Sequence, residues 1–370
     1  MSGIRITVPP PAAADYDVVV EPGSLDRLGE HVAEAAPAHR YAILADAAVA
    51  GAYGERARAA LERAGLRADV FPFEAGESRK TRETWAALTD ALLDAGLGRD
   101  GAVIGLGGGV TGDLAGFVAA TYMRGVPIVQ VPTSLLAMVD ASVGGKTGVD
   151  SPHGKNLIGA FHQPRRVVID PDVLVTLPDR ELRCGLAEAV KHGAIADADY
   201  LAWIEAHADA LLARDPAAMT ALVRRSVEIK AAFVAADPLE TGARKALNFG
   251  HTVGHALEAA AGYGMPHGFA VAIGMVAEAE AGEGAGITAP GTAATLRRVL
   301  TRLGLPTVPP AGLEADRLLA LMRRDKKARA ARPRFTLLER PGAVARPPDG
   351  DWAHALDEAA VRRALAPAGA

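Results

Sequence analysis

Three histidines fall within 17 residues: His251, His255 and His267. The first two lie four apart in His-Thr-Val-Gly-His, where the apolar period is helical, so their imidazoles share one face a turn apart. Histidines at that spacing are a zinc arrangement. The glutamate that follows the first histidine in protease zinc helices is replaced by Thr252. His267, in Met-Pro-His-Gly, reads as part of a loop able to fold back. Glu188 precedes Lys191 by three residues on a predicted helix, which puts the two on one face. A His/His/Glu set drawn from these residues suits a divalent ion with one position open to a substrate oxygen. The competing account is surface histidines beside an ordinary ion pair.

A second group is cationic. Lys146, Lys155, Lys191, Lys230, Arg244 and Lys326-Lys327 stand out, with Arg124 in Thr-Tyr-Met-Arg-Gly and with Asn156 and Asn248. Cations beside glycines and amides suit a small polyanion bearing phosphate or carboxylate. The alternative, a solvated charged surface, fits Lys146 poorly, because it is embedded in Val143–Val149. Gly145-Lys146-Thr147 resembles the end of a nucleotide-triphosphate loop, but the glycine required five positions earlier is Asp140, so that match fails.

A third feature is Gly107-x-Gly109-x-x-Gly112, after the apolar strand Ala102–Leu106 and before a helix predicted to begin near Asp113. Glycines there let backbone amides approach a pyrophosphate at a helix N-terminus. The acidic residue expected about 20 positions on is missing, since that stretch reads Val126–Pro132, and a standard dinucleotide assignment fails. Asp46, at the end of an early strand, could hold a ribose instead.

The elements that must position these residues divide in two. Up to Leu177-Pro178, strand-like runs alternate with helical ones: Tyr16–Glu21, Tyr41–Leu44, Ala68–Phe73, Ala102–Leu106, Ile128–Val131 and Arg166–Ile169 among the strands. Such alternation indicates a parallel sheet covered by helices. Beyond it the period is mostly helical, including Leu201–Leu212, Asn248–Ala261 and Val271–Gly282. The expected architecture is α/β followed by α: a Rossmann-like domain over 1–178 and a helical metal- and substrate-binding domain over 179–370. Ligands favour the cleft between such halves.

Composition bounds the classes. The chain has 370 residues, 49% hydrophobic and 23% charged, which excludes a disordered polymer. Forty Lys and Arg oppose 44 Asp and Glu, so nucleic-acid binding through overall charge is not expected. One cysteine, Cys184, permits no intramolecular disulfide or thiolate cluster. The apolar run Phe269–Ala277 is about half of the ~20 residues that cross a bilayer and reads as a buried helix segment. No export signal is read in Met1–Asp17, and a cytoplasmic enzyme with no membrane partner is expected.

Taken in order, several segments resemble the 3-dehydroquinate synthases of the sugar phosphate cyclase superfamily. They are Gly107–Gly116, Ala120–Gly125, Val139–Gly148, Gly154-Lys-Asn156, Gly185–Lys191, Leu247–His255, His267-Gly268 and Asp325-Lys-Lys327. The resemblance runs from about residue 15 to 340. It implies an N-terminal NAD-binding domain, a C-terminal helical domain, a site between them and a homodimer. It also implies conversion of 3-deoxy-D-arabino-heptulosonate 7-phosphate to 3-dehydroquinate and phosphate. NAD is oxidant and then reductant, and one divalent metal, zinc or cobalt, is required. By resemblance the metal ligands fall on Glu188, His251 and His267, and His255 falls on a proton-handling position. Lys146, Asn156, Asn248, His255 and one of Lys326 and Lys327 match phosphate-side groups, and Arg124 one contributed across the dimer. Lys230 and Arg244 match a carboxylate clamp, Asp140 and Lys191 inner-site groups, and Glu240 a supporting acid. Asp46, Glu77, Lys80, Gly108, Gly109, Val110, Asp113, Thr133, Ser134, Lys146 and Lys155 match the NAD side. The departures are Ser134 for the more usual Thr, Phe269 where a Glu is common, and Lys245 beside Arg244. A sister cyclase taking sedoheptulose 7-phosphate, glucose 6-phosphate or an aminated substrate is the nearest rival. A metal-dependent polyol dehydrogenase would not need the phosphate-side cations, and a non-catalytic relative would not keep Lys191 and His255.

Overall fold

The computed structural model describes residues 15–323, 333–348 and 350–365; Lys326 and Lys327 lie outside the described residues. The first half is built on strands β1 (Asp17–Val20), β2 (Tyr41–Asp46), β3 (Ala68–Phe73), β4 (Ala102–Gly107) and β5 (Ile128–Pro132). A hairpin of β6 (Lys146–Ser151) and β7 (Gly154–Phe161) then precedes β8 (Arg166–Ile169). Six strands pair in the order β1-β8-β5-β4-β2-β3, every pair parallel. A parallel sheet is covered on both faces, so its inner strands must be apolar throughout. Tyr41–Ala45 and Ala102–Leu106 are accordingly buried residue for residue.

The topology creates a crevice. After β2 the chain crosses to β3 on one side; after β4 it crosses to β5 on the other. The carboxyl ends of β2 and β4 therefore flank a reversal of direction, the usual ligand position in such sheets. Asp46 ends β2, and the glycine turn ends β4.

The helix after β4 runs from Gly109 to Thr121, four residues ahead of its expected start near Asp113. Gly108 is extended and caps it without a side chain, so the glycines enter the first turn instead of a loop. Their lack of a Cβ permits close packing: one on Gly112 would lie 3.0 Å from Gln130, and one on Gly116 would lie 2.3 Å from Thr147. The hairpin β6–β7 thereby rests on this helix. Its strands mix glycines and charged residues with Val149, Leu157, Ile158 and Phe161 in no regular alternation, and the sequence reading placed no strand there.

The second half is helical, including Asp179–Ala196, Pro216–Ala236, His251–Ala260 and His267–Gly284. The expected Leu201–Leu212 helix is split at His207 into Ala198–Ala206 and Ala208–Leu212. Asn248 belongs to a short 3-10 turn, Ala243–Asn248, and the helix proper starts at His251 after Gly250 at φ 79°. That conformation suits glycine, and a Cβ there would lie 2.6 Å from Met275. His267 is no loop residue; it opens the helix that the sequence reading began at Val271. Pro266 fixes the entry, and its carbonyl accepts the N–H groups of Phe269 and Ala270. Most of Phe269–Ala277 is buried, as expected of a core helix. The two histidine helices meet glycine to glycine: a Cβ on Gly274 would lie 2.0 Å from the Gly250 carbonyl. The largest core cluster joins Ile43, Ile104 and Val129 of the sheet to Leu186, Val190, Leu222 and Val271 of the helices. Both halves thus share one continuous core.

Candidate active site and metal centre

On helix Pro216–Ala236 the buried stripe runs Met219, Leu222, Val223, Ser226, Val227, Lys230, Val234. A lysine on that stripe is costly to bury unless it is paired. Its partner is Asp140, 2.7 Å away. Asp140 also faces Lys191 at 3.8 Å and Nε2 of buried His192 at 3.6 Å. Burial alone would raise the Asp140 carboxyl, but Lys191 and Lys230 hold it well below the usual carboxylate range. Burial pushes the Lys230 ammonium down to about 8 against the opposing pull of Asp140. Lys191 is buried too, yet Asp140 and Glu188 outweigh that burial and keep it charged.

Helix Asp179–Ala196 brings Glu188 beside Lys191, and the two are ion-paired. Glu188 Oε1 lies 3.5 Å from His251 Nε2 and 3.3 Å from His267 Nε2. The ligand atoms of Glu188, His251 and His267 all fall within 4.8 Å of one another. Those two spacings match the edge of a tetrahedron, about 3.3 Å, around an ion bonded at about 2.05 Å. His251 is oriented by its own backbone: Nδ1 faces the Phe249 carbonyl at 3.0 Å, leaving Nε2 toward Glu188. His255 stands beside the set with its ring centroid 5.5 Å from that of His251. Burial opposes charge on His267, but hydrogen bonds to Glu188 and Glu258 hold its pKa at about 10. Neither oxygen of buried Glu188 makes a well-aligned hydrogen bond. Two imidazole nitrogens and a buried carboxylate, whose other neighbour is the Lys191 ammonium, converge on one point and fit a divalent cation. A second group, Asp140, Glu188 and His192, shares the carboxylate. The ammoniums of Lys191 and Lys230 already place positive charge there.

A loop after the Lys230 helix completes this end. Buried Asp237 accepts the backbone N–H groups of Thr241, Gly242 and Arg244, folding the loop around itself. Glu240 in that loop has φ 59°, a left-handed strain held by this network. Its carboxylate pairs with Lys146 and accepts Nδ2–H of Asn248 at 2.8 Å. Arg244 is buried and donates to the carbonyls of Pro238 and Gly144.

The strand-end cluster is separate. Thr111 Oγ1 lies 3.3 Å from Asp46 Oδ2, across the crevice between β2 and β4. Asp46 Oδ1 accepts from Ala48 and Val49, capping the turn after β2. A Cβ on Gly108 would lie 3.3 Å from Ser134 Oγ, and one on Gly109 would lie 3.4 Å from Ala141. The Thr133 N–H donates to the Gly107 carbonyl at 2.9 Å. Val110 stands in the first turn of the same helix. Buried Lys80 joins Asp113 and Asn156, and Lys155 pairs with Glu77 at 3.2 Å. The open helix N-terminus, with no side-chain cap and glycines beneath it, fits a dinucleotide pyrophosphate. Asn156, expected on the phosphate side, accepts from Lys80 through Oδ1.

Arg124 is not brought in. It is exposed, at φ 69°, just beyond the far end of the 13-residue helix whose N-terminus lines the crevice, roughly 20 Å along the axis. The sequence reading missed Asp237, Glu258, Glu278 and His192. Glu258 alone had a signal, lying seven residues after His251 on the same helix face.

Residues 70–184 match the N-terminal part of 3-dehydroquinate synthase, and residues 185–328 match its C-terminal part. The chain belongs to the 3-dehydroquinate synthase family. A 3-dehydroquinate synthase of Symbiobacterium thermophilum is 51% identical over 336 residues, covering 90% of this chain and 94% of its own. One of Xylella fastidiosa is 46% identical over 374 residues, covering 99% and 98%. Among solved structures, a 2-epi-5-epi-valiolone synthase of Streptomyces hygroscopicus with NAD+ and Zn2+ bound has a TM-score of 0.85. It is 30% identical and covers 98% of each chain. The parallel sheet and helical second half are thus the family's architecture.

Proposed function

We propose that the chain is an NAD- and metal-dependent 3-dehydroquinate synthase, eliminating phosphate from 3-deoxy-D-arabino-heptulosonate 7-phosphate and closing the carbocycle. The observation that carries this reading is the Glu188/His251/His267 set lying beside the Asp140/Lys191/Lys230 cluster. When bound, NAD would accept and return a hydride, and zinc or cobalt at Glu188, His251 and His267 would polarise the reacting C–O bond.

The chain's own groups position and neutralise. Lys230 and Arg244 clamp the substrate carboxylate. Lys146 and Asn248, tied by Glu240, hold the phosphate end, which Asn156 and one of Lys326 and Lys327 complete by family resemblance. Asp140 keeps Lys191 and Lys230 charged and aimed. His255 receives or returns the substrate proton beside the metal histidines. Gly108, Gly109, Val110, Thr133 and Ser134 seat the pyrophosphate, and Asp46, Glu77, Lys80, Asp113 and Lys155 line the rest of the NAD crevice. A homodimer in which each Arg124 serves its partner's site accounts for that arginine's distance from its own crevice. The two domains meet near residue 178. Among the described residues no helix is long and apolar enough to cross a membrane, and a cytoplasmic location is proposed.

The test offers purified protein, with NAD and zinc or cobalt, the heptulosonate phosphate, sedoheptulose 7-phosphate and glucose 6-phosphate separately. Phosphate release from the first alone, with dehydroquinate identified by mass, is expected. Release from a neutral sugar phosphate instead would overturn the clamp at Lys230 and Arg244.

A further inference from the structure

Glu258 is 3% exposed and uses both carboxylate oxygens. Oε2 faces Nδ1 of His267 at 3.2 Å, and Oε1 accepts from Nζ of Lys155 at 3.1 Å. The other nitrogen of the same imidazole, Nε2, faces Glu188 at 3.3 Å. With Nδ1 directed at Glu258, Nε2 is the ring nitrogen turned toward Glu188 and His251, the side on which a metal would sit. Lys155 sits on β7 in the first half, also pairs with Glu77, and covers the ring of Tyr263 at 4.9 Å. Glu258 therefore stands between a hairpin lysine and a metal-centre histidine.

We propose that Glu258 is a positioning residue of the metal centre: it fixes the tautomer and ring plane of His267 and, through Lys155, ties that centre to hairpin β6–β7. The inference rests on the metal reading of Glu188, His251 and His267. Partners of this kind commonly contribute roughly 10- to 100-fold in metal affinity.

The test is Co2+ titration of the metal-free full chain against a chromophoric chelator, without NAD or substrate. It compares the parent protein, Glu258→Gln, Lys155→Met and Glu188→Gln, with the visible Co2+ spectrum recorded for each. Glu258→Gln keeps the side-chain volume and should raise the Co2+ dissociation constant roughly 10- to 100-fold, with shifted ligand-field bands. Lys155→Met leaves the carboxylate in place and should raise the constant several-fold. A parent-like constant and spectrum in Glu258→Gln would overturn the proposal, whatever the variant's thermal stability. A parent-like constant in Lys155→Met would remove the hairpin tie. A parent protein whose Co2+ binding is untouched by Glu188→Gln would sink the metal reading itself, and this inference with it.

Discussion

The crevice between β2 and β4 and the metal centre among the helices solve opposite problems. The crevice presents backbone: an uncapped helix N-terminus over glycines whose missing Cβ atoms leave room. The proposed metal centre is built from side chains instead: Glu188 and its helix neighbours Lys191 and His192 are almost wholly enclosed. Backbone amides need little support, because the helix already holds them. Buried charges need partners, and each here has one drawn from a distant element. Glu278 makes the point: it accepts the N–H groups of Gly250, Thr252 and Val253 and so caps the His251 helix from another helix. A strand-end site can therefore be built locally, whereas a helix-core site requires the whole second half.

The contrast can be broken by substitution. His251→Ala should abolish metal retention and lower turnover roughly a thousandfold, the several kcal/mol a metal supplies. Unchanged metal content by elemental analysis would sink the ligand assignment. Arg244→Ala should raise KM for the heptulosonate roughly a hundredfold, as for a truncated buried charge, and change NAD affinity little. Equal losses for both ligands would remove the carboxylate role. Gly109→Val adds a branched side chain where Cβ contacts already lie at 3.4 Å, so NAD affinity should fall roughly tenfold or more while metal stoichiometry stays whole. Loss of both together would mean that the two sites do not separate.

A pH profile sharpens the same comparison. Lys230 is charged below about 8 and neutral above it, so its attraction for a substrate carboxylate is present at low pH and fades as pH rises. The kcat/KM for the heptulosonate should fall above about pH 8, and the inflection should vanish in Lys230→Met. Smallest is Glu278→Gln, which keeps one amide oxygen as acceptor for a buried three-donor cap and should cost roughly 1 kcal/mol in denaturant unfolding. No change would show that the metal helix holds its start without that carboxylate.

Much of this was legible in the residues. The strand-end site announced itself through Gly107, Gly109 and Gly112 following an apolar run, because glycine spacing and strand hydrophobicity are local properties. The hairpin β6–β7 was not legible, since its strands lack a regular apolar alternation and are held by pairing and by the groove that Gly116 leaves. Lys230 was visible as a cation, but neither the burial that depresses its pKa nor its partner Asp140, 90 residues away in sequence, could be read from spacing.

By itself the sequence determined the two-part architecture, the parallel sheet, the supply of histidines and cations, and the family resemblance, because periodicity, glycine turns and ordered motifs are carried along the chain. Tertiary structure decided which histidines converge with Glu188, that His267 begins a helix, that Arg124 stays remote, and that Asp237, Glu258 and Glu278 are the supporting carboxylates. Buried charges find partners by proximity in space, and chain separations such as Lys155 to Glu258 leave no pattern that spacing can reveal.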